Sequence, residues 1–182
     1  GNFVRLAHYP HDEAMVRAAD ELGLMVWSEV PVYWRIAWDD PETLATARRM
    51  LAENIRRDRN RASIALWSVG NETPVTSERN AFMARLAADV RALDPDRLVT
   101  AALLTERNES EGHPVLTLAD PLANEVDVLA VNTYNGWYGP DRTEDLARFE
   151  WRLPRDRPLI LSEFGADAKF GLHDTGTPHK FS

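Results

Sequence analysis

The sequence predicts an α/β fold, namely a (β/α)8 TIM barrel that is incomplete in this chain. Short apolar, strand-like runs alternate with amphipathic, helix-like segments, which is typical of parallel α/β architecture. Two of these runs end in glutamates, Glu72 and Glu163, and parallel barrels carry their functional side chains at the C-terminal strand ends. About six strands can be recognised, whereas a closed barrel has eight.

The first predicted elements lie at the N-terminal end of the chain. A strand is expected over Phe3–Leu6 and a helix over about Asp12–Leu22, where apolar residues recur at helical spacing. Gly23 suits the C-terminal cap of that helix. The next strand covers Leu24–Ser28 and ends in Glu29.

Two longer helices flank the third strand. Asp40 is a suitable N-cap and Pro41 suits the first helical position, so a helix is expected to begin there. A strand over Ile64–Val69 leads to Glu72, and a helix follows over about Ser77–Leu93. The residues of these two helices expected to face the core are Leu44, Ala47, Leu51, Ile55, Phe82, Leu86 and Val90.

The C-terminal half contains three more strands. They are expected over Leu98–Leu103, over Val126–Val131, and over Pro158–Ser162 before Glu163. The polar segment Thr105–Pro114 is predicted to be a loop. Thr143 is predicted to cap a helix that bears Leu146, Phe149 and Leu153.

Composition excludes several classes of function. The 182 residues, 44% hydrophobic, can form a core, so we expect one domain or part of one over residues 1–182. A net charge of -8 argues against nucleic-acid or membrane partners. The chain has no cysteine for disulfides or thiolate sites, and its histidines show no metal-ligand spacing. No apolar run approaches the roughly 20 residues of a membrane span.

The chain begins like the interior of a strand. No signal peptide is visible at Gly1, and Gly1–Arg5 does not resemble the start of a protein. We therefore expect the true N-terminus to lie upstream, and the sequence favours a cytoplasmic location only slightly.

The two strand-end glutamates are the strongest indication of chemistry. A carboxylate directly after a buried strand is costly to desolvate, and two in matching positions predict a shared pocket. Paired carboxylates facing a sugar are the chemistry of glycoside hydrolysis. The alternative is that one of them is an ordinary exposed loop glutamate. Glu72 and Glu163 both follow apolar runs and have small or amide neighbours, which favours the catalytic interpretation.

Four motifs resemble one enzyme family. They are FVRLAHYP at Phe3–Pro10, WSVGNE at Trp67–Glu72, NTYNGWY at Asn132–Tyr138 and SEFGAD at Ser162–Asp167. Together and in this order they resemble glycoside hydrolase family 2, with the greatest similarity to its β-glucuronidase-like members. The resemblance covers nearly the whole chain. It implies a retaining exo-β-glycosidase that acts on terminal β-linked sugars, needs no cofactor or metal, and forms a homo-oligomer as the full-length protein.

The resemblance also implies roles for the two glutamates. Glu72 would be the general acid/base and Glu163 the nucleophile. Retaining enzymes hold the two carboxyl groups roughly 5–5.5 Å apart. Glu163 must be ionised to attack the anomeric carbon, and Glu72 must arrive protonated at the glycosidic oxygen. Once the sugar is attached to Glu163, Glu72 can ionise and activate water.

Three further residues resemble supporting groups of that family. Arg5 would donate to the nucleophile, Asn71 would hold the sugar 2-hydroxyl, and Tyr134 would hydrogen-bond the nucleophile. Each also has a purely structural alternative. Arg5 could be a surface arginine, Asn71 a turn asparagine and Tyr134 a half-buried aromatic without a function.

Sugar-facing residues are expected nearby. His8 resembles a sugar-contacting histidine, although it could merely tie down its loop, and Trp137 and Tyr138 could face the sugar or pack in the wall. Glu29 is a third strand-end carboxylate that would bind a hydroxyl or support its loop. His173 matches a family pattern without an assigned mechanistic role.

Two alternatives to a β-glucuronidase remain open. A β-galactosidase or another family 2 β-glycosidase would use the same barrel, and Asn135 stands where glucuronidases often have a second tyrosine. An Asn-x-Lys motif that reads the sugar carboxylate would follow the last strand, beyond Ser182. A non-catalytic carbohydrate-binding barrel is the second alternative, and it would have no need to keep both glutamates.

Overall fold

The computed structural model describes residues 1–110, 112–138, 141–154, 157–167 and 170–172. It contains a parallel sheet of six strands in the order β1-β2-β3-β4-β7-β9, which curls into part of a TIM barrel. A smaller sheet has the order β5-β6-β8. The elements in chain order are β1 (Phe3–Leu6), α1 (Glu13–Leu22), β2 (Met25–Glu29), α2 (Pro41–Asp58), β3 (Ile64–Asn71), α3 (Ser77–Leu93), β4 (Leu98–Leu103), β5 (Glu106–Ser110), β6 (His113–Thr117), a 3-10 helix (Pro121–Asn124), β7 (Val128–Asn132), a second 3-10 helix (Thr143–Arg148), β8 (Glu150–Arg152) and β9 (Leu159–Glu163).

Successive residues of the central strands face two different apolar clusters. Val26 of β2 and Trp67 of β3 pack in a large cluster together with residues of the three α-helices. Their neighbours Trp27 and Leu66 belong to a second cluster of strand residues, which lies on the opposite face of the sheet. The second cluster therefore fills the concave side of the curled sheet, the side on which a barrel has its interior.

The predicted C-terminal cap of α1 and the predicted start of α2 are confirmed. Asp40 accepts hydrogen bonds from the backbone N–H groups of Glu42 and Thr43 at the start of α2, with Pro41 at the first helical position. Gly23 ends α1 with a φ of 66°, the left-handed conformation that glycine adopts at low cost. The core-facing residues predicted for α2 and α3 are buried, except that Leu44 is half-buried against the same cluster.

The predicted loop over Thr105–Pro114 is wrong, because this segment contributes to a β-hairpin. β5 and β6 pair in antiparallel register from Glu106 opposite Thr117 to Ser110 opposite His113. The β5 residues are polar and mostly exposed, so the strand carries no apolar alternation that the sequence could reveal. Backbone pairing with β6 is therefore what makes it a strand.

The helix predicted after Thr143 is also wrong. Only a 3-10 helix forms, capped by Arg142, and it ends at Arg148. The next residues, Glu150–Arg152, pair in parallel with β6 instead of continuing the helix. The apolar residues that predicted a helix are used without one: Phe149 is buried near Trp151, with ring centroids 6.4 Å apart, and Leu153 packs against the main apolar cluster.

Within the described part of the chain, no helix has both the length and the apolar character needed to cross a membrane.

Candidate active site

A polar cluster occupies the C-terminal ends of the parallel strands, above the inner apolar cluster. It is organised around Arg5, which lies near the end of β1 with a side chain only 7% exposed. Its partners come from β2, β3 and β9, so strands far apart in sequence meet at one side chain. This placement follows from parallel topology, which collects all C-terminal strand ends at one edge of the sheet.

The Arg5 guanidinium contacts three acceptors. Its Nε and Nη2 each donate to Glu29 at 3.0 Å, in a bidentate arrangement. Its Nη1 donates to Glu163 Oε1 at 2.5 Å, and Nη2 also donates to Asn71 Oδ1 at 2.8 Å. The guanidinium carbon lies 5.0 Å from the Trp27 ring centroid, within cation–π range. Arg5 thus fixes the relative positions of two carboxylates and an amide.

Glu29 is fully buried beneath this arginine. It accepts hydrogen bonds from Trp27 Nε1 at 2.7 Å and pairs with His8 Nδ1 at 2.8 Å, in addition to its bonds from Arg5. Burial alone would raise the pKa of the Glu29 carboxyl, but the hydrogen bonds from His8, Arg5 and Trp27 and the charge of Arg5 hold it below its ordinary value. Glu29 is therefore an ionised anchor inside the protein.

Glu72 lies at the end of β3 and is contacted by a different set of groups. Asn132 at the end of β7 donates its Nδ2 to Glu72 Oε1 at 3.0 Å and to Asn71 Oδ1 at 3.1 Å. Ser162 orients that amide by donating to Asn132 Oδ1 at 2.8 Å. The Glu72 backbone N–H bonds to the Ala102 carbonyl at 2.9 Å, and its φ is 48°. The donor that reaches Glu72 is thus a neutral amide.

Glu163 ends β9 with a side chain 27% exposed, so it is open to a ligand. The Tyr134 hydroxyl donates to its Oε2 while Arg5 donates to its Oε1. One cationic and one phenolic donor thus occupy the two oxygens and fix the orientation of the carboxylate.

Aromatic rings line the site beside these groups. Tyr138 packs edge-on against Tyr134 with centroids 5.2 Å apart, and Trp137 lies 5.6 Å from Tyr138. On the other side, His8 lies 5.4 Å from Tyr33. More than half of Tyr138 is exposed, so it is accessible to a ligand.

The structure brings most of the predicted site residues together. Hydrogen bonds connect Arg5, His8, Asn71, Glu72, Tyr134 and Glu163 into one network that includes Glu29 and Asn132. Trp137 and Tyr138 lie next to this network through the ring contacts. The prediction for His173, like the rest of the tail over 173–182, lies outside the described residues.

Sequence reasoning missed two members of the network. Asn132 bridges Asn71 and Glu72, and Ser162 holds Asn132 in place. Asn132 carried a usable signal, because it ends a predicted strand as Glu29, Glu72 and Glu163 do. Ser162 is the first residue of the SEFGAD motif, one residue before Glu163, but the motif assigned it no role. The described residues contain no cluster of acidic or histidine side chains that could hold a metal ion.

This arrangement joins two carboxylates with unlike hydrogen-bond donors through one network. Such a pair is suited to glycosyl transfer, in which one carboxylate attacks while the other exchanges a proton. An alternative use, in binding alone, would not require the donors to differ.

Comparison with curated proteins identifies similar chains. The chain is 32% identical to the beta-glucuronidase of Rattus norvegicus over 195 residues, covering 100% of this chain and 28% of the relative. It is 30% identical to the beta-glucuronidase of Streptococcus agalactiae, covering 96% of this chain and 32% of the relative. The chain thus spans about a third of these relatives or less.

Solved structures agree with the sequence comparison. A beta-glucuronidase from Ruminococcus gnavus, solved in complex with D-glucaro 1,5-lactone, superposes with a TM-score of 0.76 at 27% identity. The superposition covers 100% of this chain and 32% of that one. The family model described as "Glycosyl hydrolases family 2, TIM barrel domain" matches residues 1–178. The chain therefore belongs to glycosyl hydrolase family 2, within the TIM barrel domain of that family.

Proposed function

We propose that residues 1–182 form part of the TIM barrel catalytic domain of a retaining exo-β-glycosidase whose substrates are β-glucuronides. The observation that carries the proposal is the difference in donors at the two glutamates. Glu163 receives Arg5 and Tyr134, whereas Glu72 receives the neutral amide of Asn132. Strong donors on both oxygens fix the orientation that an attacking carboxylate needs, and an amide on one oxygen is compatible with proton exchange by the other.

In the first step, a Glu163 oxygen attacks the anomeric carbon of the bound sugar. The bond from that carbon to the glycosidic oxygen breaks, and Glu72 gives its proton to this oxygen, so the aglycone leaves as a neutral alcohol. The products are a glycosyl ester on Glu163 and an ionised Glu72. Arg5 stays paired with Glu29 throughout, which keeps its charge in place as that of Glu163 is consumed.

In the second step, water replaces the aglycone. The water oxygen attacks the anomeric carbon while Glu72 takes a proton from the water, and the bond from that carbon to Glu163 breaks. The sugar leaves with its original β configuration, since the carbon has been inverted twice. Glu72 is again protonated and Glu163 again ionised, so the cycle closes without a cofactor.

The remaining site residues would bind the sugar. Asn71 would hold the 2-hydroxyl; its Oδ1 is occupied by Arg5 and Asn132, which turns its Nδ2 toward other acceptors. His8 would contact a hydroxyl from the edge of the network, and Trp137 and Tyr138 would face the apolar side of the ring.

The choice of glucuronide is supported by the relatives. The rat and Streptococcus agalactiae proteins are named beta-glucuronidases, and the Ruminococcus gnavus protein was solved with a lactone of a sugar acid. We extend this substrate class to the full-length protein that contains this chain, and expect that protein to be a homo-oligomer.

The test is an assay of the full-length protein on matched aryl β-glucuronide, β-galactoside, β-glucoside and β-mannoside. We expect turnover of the glucuronide, and a loss of at least about 10⁴-fold in Glu163→Ala, because a covalent nucleophile cannot be replaced by solvent. Glu53→Ala, an exposed glutamate of α2, is the matched control and should keep full activity. Proton NMR of the first product should show the β anomer.

Each contrary result has a definite meaning. Turnover of a neutral sugar would keep the mechanism and replace the substrate class with that of a β-galactosidase or related enzyme. An α anomer as first product would overturn the retaining mechanism. Binding of the sugars without turnover of any of them would identify a carbohydrate-binding barrel and overturn the proposal.

A further inference from the structure

A buried ion pair lies directly behind the proposed acid/base glutamate. Arg79, in the first turn of α3, and Asp120, before the Pro121–Asn124 helix, have side chains 0% and 1% exposed. A buried arginine is costly, and its position near the positive end of a helix dipole adds to that cost. An arginine kept here needs partners that offset both costs.

The contacts of Arg79 involve all three guanidinium nitrogens. Nη1 and Nη2 donate to the two Asp120 oxygens, both at 2.7 Å, and Nη1 also donates to Asn80 Oδ1 at 3.0 Å. Asp120 accepts in addition from the Leu122 backbone N–H at 2.9 Å. The third nitrogen, Nε, donates to Thr73 Oγ1 at 2.7 Å. The ion pair is therefore rigid, and one of its donors is directed at Thr73.

Thr73 is the residue that follows Glu72. Glu72 has a φ of 48°, a left-handed conformation that a non-glycine residue keeps only where its surroundings hold it. Its own N–H is held by the Ala102 carbonyl at 2.9 Å, and the next side chain is held by Arg79. The turn that carries Glu72 is thus fixed on both sides, by β4 and by Arg79.

We propose that Arg79 is a positioning residue for Glu72, acting through the hydroxyl of Thr73 and anchored by Asp120. This inference rests on the proposed function of Glu72 as the proton donor. An ion pair that only joined α3 to the following 3-10 helix would use the two Nη groups and Asp120. The bond from Nε to Thr73 adds a connection to the catalytic turn that such a joint does not need.

The expected consequence is specific to proton donation. A general acid works only within hydrogen-bond reach of the leaving oxygen, and a displacement of about 1 Å can cost about 100-fold in rate. That cost is large for an alkyl or phenyl leaving group, which needs the proton. It is small for a dinitrophenyl group, which leaves as a stable anion.

The test replaces Thr73 by valine in the full-length protein, which removes the acceptor and keeps the shape. We expect kcat/KM to fall about 10- to 100-fold for a phenyl β-glycoside and less than about 3-fold for the dinitrophenyl β-glycoside of the same sugar. Thr100→Val is the matched control, because Thr100 of β4 is as buried as Thr73 and its hydroxyl donates to the carbonyl of Val128 in β7 at 2.9 Å. This variant should change kcat/KM by the same factor for both substrates. Thr73→Ser, which keeps the hydroxyl, should restore wild-type selectivity.

Equal losses on the two substrates in Thr73→Val would overturn the inference and leave a structural ion pair. If Thr73→Val does not fold, Arg79→Lys gives the same decision, because a lysine ammonium can pair with Asp120 but cannot supply the fork that also reaches Thr73. The variant Glu72→Gln distinguishes a failure of the role proposed for Glu72 from a failure of the role proposed for Arg79. If Glu72→Gln shows no dependence on the leaving group, the proposed role of Glu72 fails; if it shows the dependence and Thr73→Val does not, only the role of Arg79 fails.

Discussion

Glu29 connects several residues of the site, a role that its position at a strand end did not reveal. It is fully buried, and its oxygens serve Arg5, Trp27 and His8 at once. Because its pKa is lowered in the folded protein, its contribution to stability is present above the ordinary carboxyl pKa and is lost as the pH falls through the folded value. Its role is therefore to hold Arg5 in place and to favour the protonated form of His8.

His8 provides a pH-dependent prediction at the residue scale. Its hydrogen bond to Glu29 raises the pKa of His8, against the opposing effect of burial. NMR of histidine-labelled full-length protein, assigned with His8→Gln, should give a midpoint above the ordinary value of about 6.5. The extra stability of wild type over His8→Gln should be complete below about pH 6.5 and should disappear as the pH rises through the folded pKa. A midpoint below 6.5, or a stability difference that grows with pH, would contradict the assignment.

At the scale of elements, the end of β3 is closely packed next to two residues of the site. Gly70 precedes Asn71 and Glu72, and a Cβ at this position would lie 2.6 Å from Met83 Cε and 2.8 Å from the Val32 carbonyl oxygen. The methionine tip can move, whereas the backbone oxygen cannot move without shifting the β2–α2 connection. A glycine is therefore required here by close approach of a neighbouring chain segment.

Gly70→Ala should lower both stability and activity. We expect a loss of about 1–3 kcal/mol in the free energy of unfolding, the usual cost of overpacking, together with a fall in kcat/KM because the next two residues are displaced. Urea unfolding and steady-state kinetics measure the two effects. Gly23→Ala, at the left-handed cap of α1, should cost about 1–2 kcal/mol with unchanged kcat/KM. A Gly70→Ala protein with wild-type kcat/KM would show that β3 tolerates the shift.

At the scale of the whole molecule, Arg5 connects the two edge strands of the described parallel sheet. It lies in β1 and bonds Glu163 of β9, 158 positions away along the chain. The same side chain also fixes β2 through Glu29 and β3 through Asn71. The curvature that brings β1 and β9 together is thus a condition for assembling the site.

Arg5→Lys tests this connection in the full-length protein. A lysine keeps the charge but cannot serve Glu29, Asn71 and Glu163 together, because it lacks the planar fork of arginine. We expect the free energy of unfolding to fall by about 1–3 kcal/mol, because the buried carboxylate of Glu29 loses hydrogen-bond donors. We expect kcat/KM to fall about 100-fold. Arg49→Lys, at an exposed pair with Glu53, should change stability by less than about 0.5 kcal/mol. Near-wild-type kinetics in Arg5→Lys would mean that charge alone suffices.

The sequence by itself determined the parallel strands, the helices α1 to α3 and the strand-end position of Glu72 and Glu163. These features are encoded locally, in apolar runs, helical spacing and capping residues such as Asp40 and Gly23, so they can be read without knowing what packs against them. The four motifs added the family and the roles expected of Arg5, Asn71 and Tyr134.

Only the tertiary structure decided which donors each carboxylate receives. The amide of Asn132 reaches Glu72 across 60 positions and Asp120 anchors Arg79 across 41, whereas the hairpin β5–β6 and the bond from Arg79 to Thr73 join residues that are close in the chain. Asn132 shows its strand-end position in the sequence, but none of these features shows its hydrogen-bond partner there, because a polar side chain looks the same in sequence whether it faces water or a buried partner. The physical reason is that local patterns report burial and backbone preference, whereas hydrogen-bond partnership depends on geometry that exists only after the sheet has curled.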